Sequence, residues 1–289
     1  MTNKKIYVWA CDYSKSTGEG NLANFFINDI KKKNYHIHLI KSNFLKNFHY
    51  ITPFLGVMWC WYYYLKNFRV AYVNYLPLWN FLIFLTLPPA TIIGPITGGS
   101  NFNEIKNLNF FIRKNIFPIF YNISCIFIRL RFKNIIFSTD LLKKYIPKKI
   151  SKKSRFNYIF LNFKKSKKIK KNIDFLIYYK KHLNKINFFP YSFVKNLVKL
   201  NLKVHVIGDL LDIKNVKNHG LINNKKVKTF QKKSKYTIAY GDNIYSIFVL
   251  ECLSNNMKIF VDRRYFKNIS FEKKNFIKIN YRKIQSLLK

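Results

Sequence analysis

Residues 235–262 read KYTIAYGDNIYSIFVLECLSNNMKIFVD. Residues 236–239 are a short apolar run closed by Gly241, so they read as a strand. Gly241, Asp242 and Asn243 supply a loop, residues 245–253 an apolar helix and residues 258–261 a second strand. Strands alternating with helices in this way point to an α/β architecture with parallel sheets. Glu251 stands inside the helix, flanked by Val249, Leu250, Cys252 and Leu253. A carboxylate in such company costs several kcal/mol unless a hydrogen-bond donor meets it. The chain has only 12 acidic residues among 289, so one kept in this position is expected to have a partner.

The same alternation extends outward from this stretch. Upstream, strands are expected at 5–10, 36–40, 70–75, 91–93 and 134–137. An amphipathic helix is expected at 21–33, with Leu22, Phe25, Phe26 and Ile30 on one face. Residues 104–131 have a helical composition broken by Pro118. Residues 158–163 read as a strand-like run, and further strands are expected at 174–179, 203–207 and 276–279, with helices at 191–200 and 225–232. The outcome is two successive Rossmann-like α/β domains, residues 1–150 and 151–289, each with enough apolar residues for its own core.

The charge balance is extreme: 53 Lys and Arg against 12 Asp and Glu, a net charge of +41. Lys outnumbers Arg 45 to 8, and Asn, Ile, Phe and Tyr are abundant while Ala occurs five times. That residue set is what an A/T-rich coding sequence yields, whereas phosphate readers lean on the bidentate fork of Arg. Whatever its origin, such a surface is drawn to anionic lipid headgroups. Residues 141–172 hold 13 Lys and Arg and no acid, either a solvated connection or a site for lipid headgroups or nucleic-acid phosphate. Cys11, Cys60, Cys125 and Cys252 are widely spaced, so neither a disulfide framework nor a zinc site is expected and a reduced cytoplasmic setting fits. The apolar run near the N-terminus is too short for a secretory signal core. Between Tyr50 and Asn103 only Lys66 and Arg69 are charged, yet prolines interrupt the run, so buried strands and a surface dipping into a bilayer are the two accounts of it.

In open α/β sheets ligands lie beyond the carboxyl ends of the strands, where helix N-termini accept phosphate. Four segments fall at that edge. CDYSKSTGEG (11–20) puts Gly18 and Gly20 just before a helix, where a missing Cβ lets backbone N–H groups approach a diphosphate or sugar; a plain helix entry uses the same residues. Asp12, directly after the first strand, is placed as a general base toward an acceptor hydroxyl or as a loop-bracing carboxylate. Lys180 and Lys185 (KKHLNK, 180–185) would neutralise a diphosphate leaving group. Gly208 and Asp209 offer a turn for a nucleobase, and Asn243 and Glu251 complete the set. A nucleotide-sugar ribose, with two vicinal hydroxyl donors, would be a partner for Glu251.

Taken in order, these segments resemble the GT-B glycosyltransferases of the family 4 and family 1-like group. STGEGNLANFFINDIKKKNYHIHLI (16–40) is similar to their N-terminal "GG…LA..L…GH.V" segment, and FLIYYKKHLNKINFF (175–189) to "GRL…KG", with Lys180 and Lys185 at the Arg and Lys positions. KVHVIGD (203–209) is similar to "L.IVGDG", and HGLINNKKVKTF (219–230) to the segment that follows it. NIYSIFVLECLSNNMKIFV (243–261) resembles "E.FGLVLLEALACG.PVV", which puts Glu251 on the second glutamate of the paired-glutamate motif. Asn243 stands in place of the first glutamate, and the strand VAYVNY carries Asn74 where retaining family 4 enzymes have a histidine nearby. GPITGG (94–99) resembles the acceptor-side loop of some bacterial surface-polysaccharide transferases, although a turn-forming loop has the same composition.

The resemblance implies two domains facing across a cleft, residues 1–150 on the acceptor side and 151–289 on the nucleotide-sugar side. It implies a metal-independent, hexosyltransferase-type enzyme that needs no cofactor beyond its nucleotide-sugar donor. The acceptor would be a lipid-linked glycan, lipopolysaccharide or polysaccharide of the cell envelope, reached from the inner face of the cell membrane by a peripheral, cytoplasmic protein. Asp12 and Glu251 would be catalytic, and Gly18, Gly20, Lys180, Lys185, Gly208, Asn243 and Glu251 would hold the donor. The alternatives are a non-catalytic GT-B-like scaffold subunit and a basic nucleic-acid-binding protein. Against the latter, the aromatics lie inside apolar runs rather than among the basic clusters.

Overall fold

The computed structural model describes residues 5–14, 17–33, 35–40, 51–74, 76–98, 108–161, 169–182, 186–241, 244–281 and 285–287. The chain divides into two units, residues 1–162 and 163–289.

In the first unit β1 (Lys5–Trp9), β2 (His36–Ile40), β3 (Arg69–Tyr72) and β4 (Ile92–Ile93) form a wholly parallel sheet in the order β2-β1-β3-β4. A bridge between Ile96 and Phe137 carries the pairing on to β5 (Ile135–Ile136), which pairs in parallel with β6 (Ser154–Arg155). That pairing keeps β6 with the first unit, although the sequence pattern starts the second domain at 151. α1 (Gly18–Lys31) begins on Thr17, whose hydroxyl accepts the Gly20 N–H, and it carries Glu19 in its first turn and Lys31 in its last, as the helix dipole favours.

α2 (Thr52–Leu65), α3 (Phe81–Thr86) and α5 (Phe117–Arg131) bury Val57, Cys60, Ile83, Phe84, Cys125 and Ile128 in one core with Trp9 and Tyr72. α4 (Leu108–Phe111) runs through a π-helical segment, Ile112–Ile116, into α5. Pro118 therefore does not break the helix. It falls where the π-helical segment passes into α5, and the wider π turn ahead of it makes room for its ring. Residues 158–161, read from sequence as strand-like, are instead the helical turn α7 (Tyr158–Leu161), which follows α6 (Lys148–Ser151) and β6. Asn157 adopts φ 58° and turns the chain back onto α1. There the Tyr158 hydroxyl donates to Asp29 Oδ2 at 2.6 Å, and its ring meets Phe26 edge-on. A tertiary contact thus overrides a local β preference.

The second unit holds β7 (Ile173–Tyr179), β8 (Val204–Gly208), β9 (Lys217–Asn218), β10 (Ser234–Ala239), β11 (Lys258–Val261) and β12 (Phe276–Lys278). All pairings are parallel, in the order β12-β11-β10-β7-β8-β9. Numbered within the unit this is the 3-2-1-4-5-6 order of a doubly wound nucleotide-binding sheet. Phe175, Leu176 and Ile177 of β7 are all fully buried, as a strand covered on both faces requires. α8 (Tyr191–Lys199) covers the sheet with Phe193, Val194 and Leu197. α9 (Asn224–Lys233), α10 (Ile247–Ser254) and α11 (Arg263–Phe266) complete the alternation. The fold is thus α/β with two Rossmann-like units.

One glycine decides how closely α2 approaches β1. A Cβ on Gly56 would lie 2.1 Å from Trp9 Nε1, and the Trp9 ring is fully buried. Gly56→Ala, which on an exposed helix would stabilise by about 0.5–1 kcal/mol, is expected here to destabilise by about 1–3 kcal/mol. Thermal unfolding of the variant reads the sign directly.

Candidate functional site

Where strand order reverses in a parallel sheet, the loops beyond the carboxyl ends part and leave a crevice. In the first unit that point lies between β1 and β3, and in the second between β7 and β10. Both points are closed by a side chain from the residues that follow the neighbouring strand.

In the first unit the closing residue is Asn74, which is 1% exposed. Its Oδ1 accepts the Cys11 N–H at 2.7 Å, and its Nδ2 donates to the Asp12 carbonyl. Asp12 is in turn committed to its own loop. Oδ1 accepts the Ser14 N–H at 2.7 Å and Oδ2 accepts the Thr17 hydroxyl. A base acting through either oxygen would compete with these donors, so the geometry here is that of a loop brace. Gly20 is also used internally. Its N–H goes to Thr17 Oγ1 at 3.0 Å, and a Cβ there would lie 1.9 Å from the Ser14 carbonyl oxygen. Its lack of a side chain serves the close approach of the 11–14 loop to α1, not the approach of a ligand. Asn24 adds a second tie, donating to Tyr13 O at 3.1 Å and Gly20 O at 2.8 Å. Gly18 is the exposed first residue of α1.

The glycines of the 94–98 segment are likewise structural. Positions filled by a Cβ at Gly94 and Gly98 would strike the Val73 carbonyl and Leu142 Cδ1, at 2.0 and 2.2 Å. Ile96 is stitched to β5 through Ile96 N to Ile136 O at 2.8 Å and Ser138 N to Ile96 O at 2.9 Å. The segment expected as an acceptor-side loop is therefore an internal extension of the sheet. Gly99 lies outside the described residues.

In the second unit Tyr240, directly after β10, spans the reversal point. Its hydroxyl donates to Tyr178 O at 2.7 Å and accepts the Lys180 N–H at 3.3 Å. Burial pushes its phenol well above the usual tyrosine range. Beside it Tyr179 and Tyr191 share a hydroxyl–hydroxyl bond of 2.6 Å, and burial raises Tyr179 to about 12. The side chains of Lys180 and Lys181 are exposed beyond β7. Next to them Gly208 adopts φ +100°, and a Cβ there would meet Tyr179 O at 2.3 Å, so only glycine fits the turn. Asp209 closes that turn, donating its N–H to Tyr179 O at 2.9 Å and accepting the Lys181 N–H at 2.6 Å. The structure thus brings Lys180 and Gly208 to one edge. Lys185 and Asn243 lie outside the described residues.

Glu251 occupies the second turn of α10, and the protein supplies its donor. Gln231 Nε2 of α9 lies 3.2 Å from Oε2 and also 3.5 Å from Phe248 O. Gln231 is fully buried, and among the described residues its own Oε1 meets no donor. Glu251 does meet a hydrogen-bond donor, and that donor is a side chain of the neighbouring helix. Burial pushes the Glu251 carboxyl up, opposed by the Gln231 bond and the charge of Lys228. Just past α10, Asn256 takes the left-handed position (φ 55°) that a C-terminal glycine often fills, and Lys171 Nζ donates to Asn256 O at 2.7 Å and Asn255 O at 3.2 Å.

Tyr240 and Gln231 do not stand out in the sequence, and Asn74 enters there only at the place where the resemblance expects a histidine. Tyr240 stands directly after β10, whereas Asn74 falls inside the expected strand 70–75 and two residues beyond the end of β3. Gln231 carries no such signal.

No family model matches the chain. It is similar to an uncharacterized protein of Rickettsia bellii (strain RML369-C), 30% identical over 112 residues, a match that covers 37% of each chain. The matched segment thus spans little more than a third of that relative's length. Among solved structures it is similar to a glycosyltransferase from Rickettsia africae ESF-5, with TM-score 0.46 and 13% identity over 91% of this chain and 80% of that one. It is also similar to an α-glucosyltransferase in complex with UDP-glucose and DNA containing an abasic site, and to the glycotransferase of kitacinnamycin. Both have a TM-score of 0.49 and cover 98% of this chain and 88% of theirs, at 11% and 9% identity.

Two outcomes follow from this geometry. Asn74→Leu leaves the Cys11 N–H and the Asp12 carbonyl without partners, and is expected to cost about 2–3 kcal/mol and to speed hydrogen exchange in the 11–14 loop. A carboxyl whose folded value stands above its unfolded one binds more protons in the folded state, so stability falls as pH rises through that window. Glu251→Gln removes this loss. Its melting temperature is expected to gain on the parent's as pH rises from about 4 to 7, and to show no gain where the carboxyl is already neutral.

Proposed function

We propose that the chain is a glycosyltransferase of the GT-B type. It moves a hexose from a nucleotide-sugar donor to a lipid-linked or polysaccharide acceptor of the cell envelope. It works at the inner face of the cell membrane without a metal ion. The observation that carries this reading is the cationic, glycine-turned edge of the second unit. There Lys180 and Lys181 project beyond β7 beside the Gly208 turn, at the reversal point of a sheet with nucleotide-binding strand order. Lysines in that place neutralise the charge that grows on a departing nucleoside diphosphate, the electrostatic task a metal performs elsewhere.

In this reading Lys180 and Lys185 hold the diphosphate, and the Gly208 turn receives the base. Asn243 and Glu251 face the ribose and the donor sugar. Gln231 fixes Glu251 through Oε2 and leaves Oε1 to accept from a ligand hydroxyl. Asp12 takes the acceptor proton only if an acceptor hydroxyl displaces the Ser14 or Thr17 donor.

Thermal unfolding in the presence of UDP-, GDP-, ADP- and CMP-sugars tests the donor half of the proposal. One nucleotide class is expected to raise the melting temperature, and Lys180→Ala and Glu251→Ala are expected to remove that rise. A chain that responds to none of the four is not a nucleotide-sugar transferase. Release of the donor's nucleotide (the diphosphate from UDP-, GDP- or ADP-sugars, CMP from CMP-sugars) on addition of envelope lipid extract then reads transfer itself.

A further inference from the structure

α2 is apolar all the way round. Its inner face, with Pro53, Val57 and Cys60, is buried, yet the opposite stripe is Ile51, Phe54, Met58, Tyr62 and Leu65. These positions recur at helical spacing, and Met58 and Leu65 are 67% and 72% exposed. A surface helix of a water-soluble protein normally shows polar side chains there.

Two further helices extend this surface. The Trp61 indole of α2 donates to the Thr86 carbonyl at 2.6 Å, and the Arg131 guanidinium of α5 donates to the Leu85 and Leu87 carbonyls. The C-terminal carbonyls of α3 are therefore capped from both sides, which locks α2, α3 and α5 into one layer. All three bury their inner residues in the same core, and α3 packs against both α2 and α5. Leu82 and Leu85 of α3 and Ile119, Ile126 and Leu130 of α5 are exposed, Leu130 at 70%. Exposed apolar residues continuous over three helices mark a docking surface rather than scatter.

The charges select the occupant. Among the described residues from 51 to 133 there are seven basic side chains and no acidic one. Lys66 lies at the end of α2, its Nζ 4.1 Å from the Tyr62 ring centroid. Arg129 and Lys133 are exposed at the end of α5, while Arg131 is committed to the α3 carbonyls. Trp59, Tyr62 and Trp79 are exposed among them, amphipathic rings of the kind that settle at headgroup level. No described helix is long and apolar enough to cross a membrane, so the layer would lie on a bilayer rather than span it. A second copy would bring the same positive charge into the contact, whereas an anionic headgroup layer neutralises it.

We infer that the outer face of α2, α3 and α5 is a docking surface for an anionic phospholipid bilayer, with the α2 stripe inserted below the headgroups and the basic residues at its ends held among them. It gives the peripheral location in the proposed function a physical basis, but it needs no sugar chemistry. Vesicle binding and the donor-induced melting shift therefore fail or succeed separately.

The test is flotation of the full chain with vesicles of phosphatidylcholine alone and of equal parts phosphatidylglycerol and phosphatidylcholine, followed by a high-salt wash. Salt removes a protein held by charge alone, so retention after the wash reads insertion. The parent is expected to float with the mixed vesicles and to stay after the wash. Met58→Ser with Leu65→Ser, which leaves net charge unchanged, is expected to lose about tenfold or more of the retained fraction. Leu221→Ser, at a still more exposed leucine of the second unit, is expected to lose none. Trp59 fluorescence should be quenched by lipids labelled in the upper acyl chain, and Trp59→Phe should abolish most of that quenching. Complete release of the parent by salt, equal retention of the Met58/Leu65 double variant, or Trp59 left unquenched would each overturn the inference. So would a salt-resistant dimer in vesicle-free buffer that the double variant dissolves, since the face would then belong to a second copy.

Discussion

A parallel sheet leaves backbone groups exposed where its strand order reverses, and every buried N–H and C=O there needs a partner. Both units meet this need with a side chain that crosses the reversal point. Asn74 ties the loop after β1 to β3, and Tyr240 ties the loop after β7 to β10. The positions of Asp12 and Lys180 follow from these bonds, since each belongs to a loop held by one of them. An amide and a phenol serve because each both donates and accepts, so one side chain satisfies groups of both kinds.

The scarcity of acids gives those present a recurring task. Asp12 braces its own loop, Asp29 receives Tyr158, and Asp209 receives the Lys181 N–H. Asp174 accepts from Lys235 and from the Lys203 N–H. Burial alone would raise the Asp174 carboxyl, but those two donors outweigh it and hold it below its ordinary value. Asp262 behaves in the same way with Arg264. Glu251 is the exception. Its one neutral donor does not offset burial, so its carboxyl moves up instead. Among so many lysines, a carboxylate kept mainly for a surface ion pair would add little, whereas one that collects backbone or tyrosine donors fixes a loop.

The apolar run between Tyr50 and Asn103, interrupted only by Lys66 and Arg69, combines two physical demands. β3, β4 and the inner faces of α2 and α3 are apolar because both sides of a parallel strand and one side of each covering helix are buried. The outer stripe of α2 has no such cause. Sequence periodicity alone could not separate the two, because a helix apolar on both faces and a run of buried strands give the same composition.

The alternation of strands and helices, the β10–α10–β11 unit and the places of Lys180 and Gly208 at strand ends are legible in the sequence, whereas α1 starts at Gly18 on a Thr17 cap rather than at Asn21. The legible features depend on neighbours a few residues apart, where period and turn residues act. What required the tertiary structure were contacts between residues far apart in the chain. Tyr158 folds onto Asp29, which turns an expected strand into a helical turn, and Ile96 joins β5, which takes 94–98 out of the role of an open loop. Gln231 meets Glu251, so the acid that first suggested a ligand has a protein partner. Local pattern states which residues want burial or a hydrogen bond. Only the folded chain decides which distant group meets that demand, because the donor and the apolar face that satisfy it are brought near by packing and not by sequence spacing.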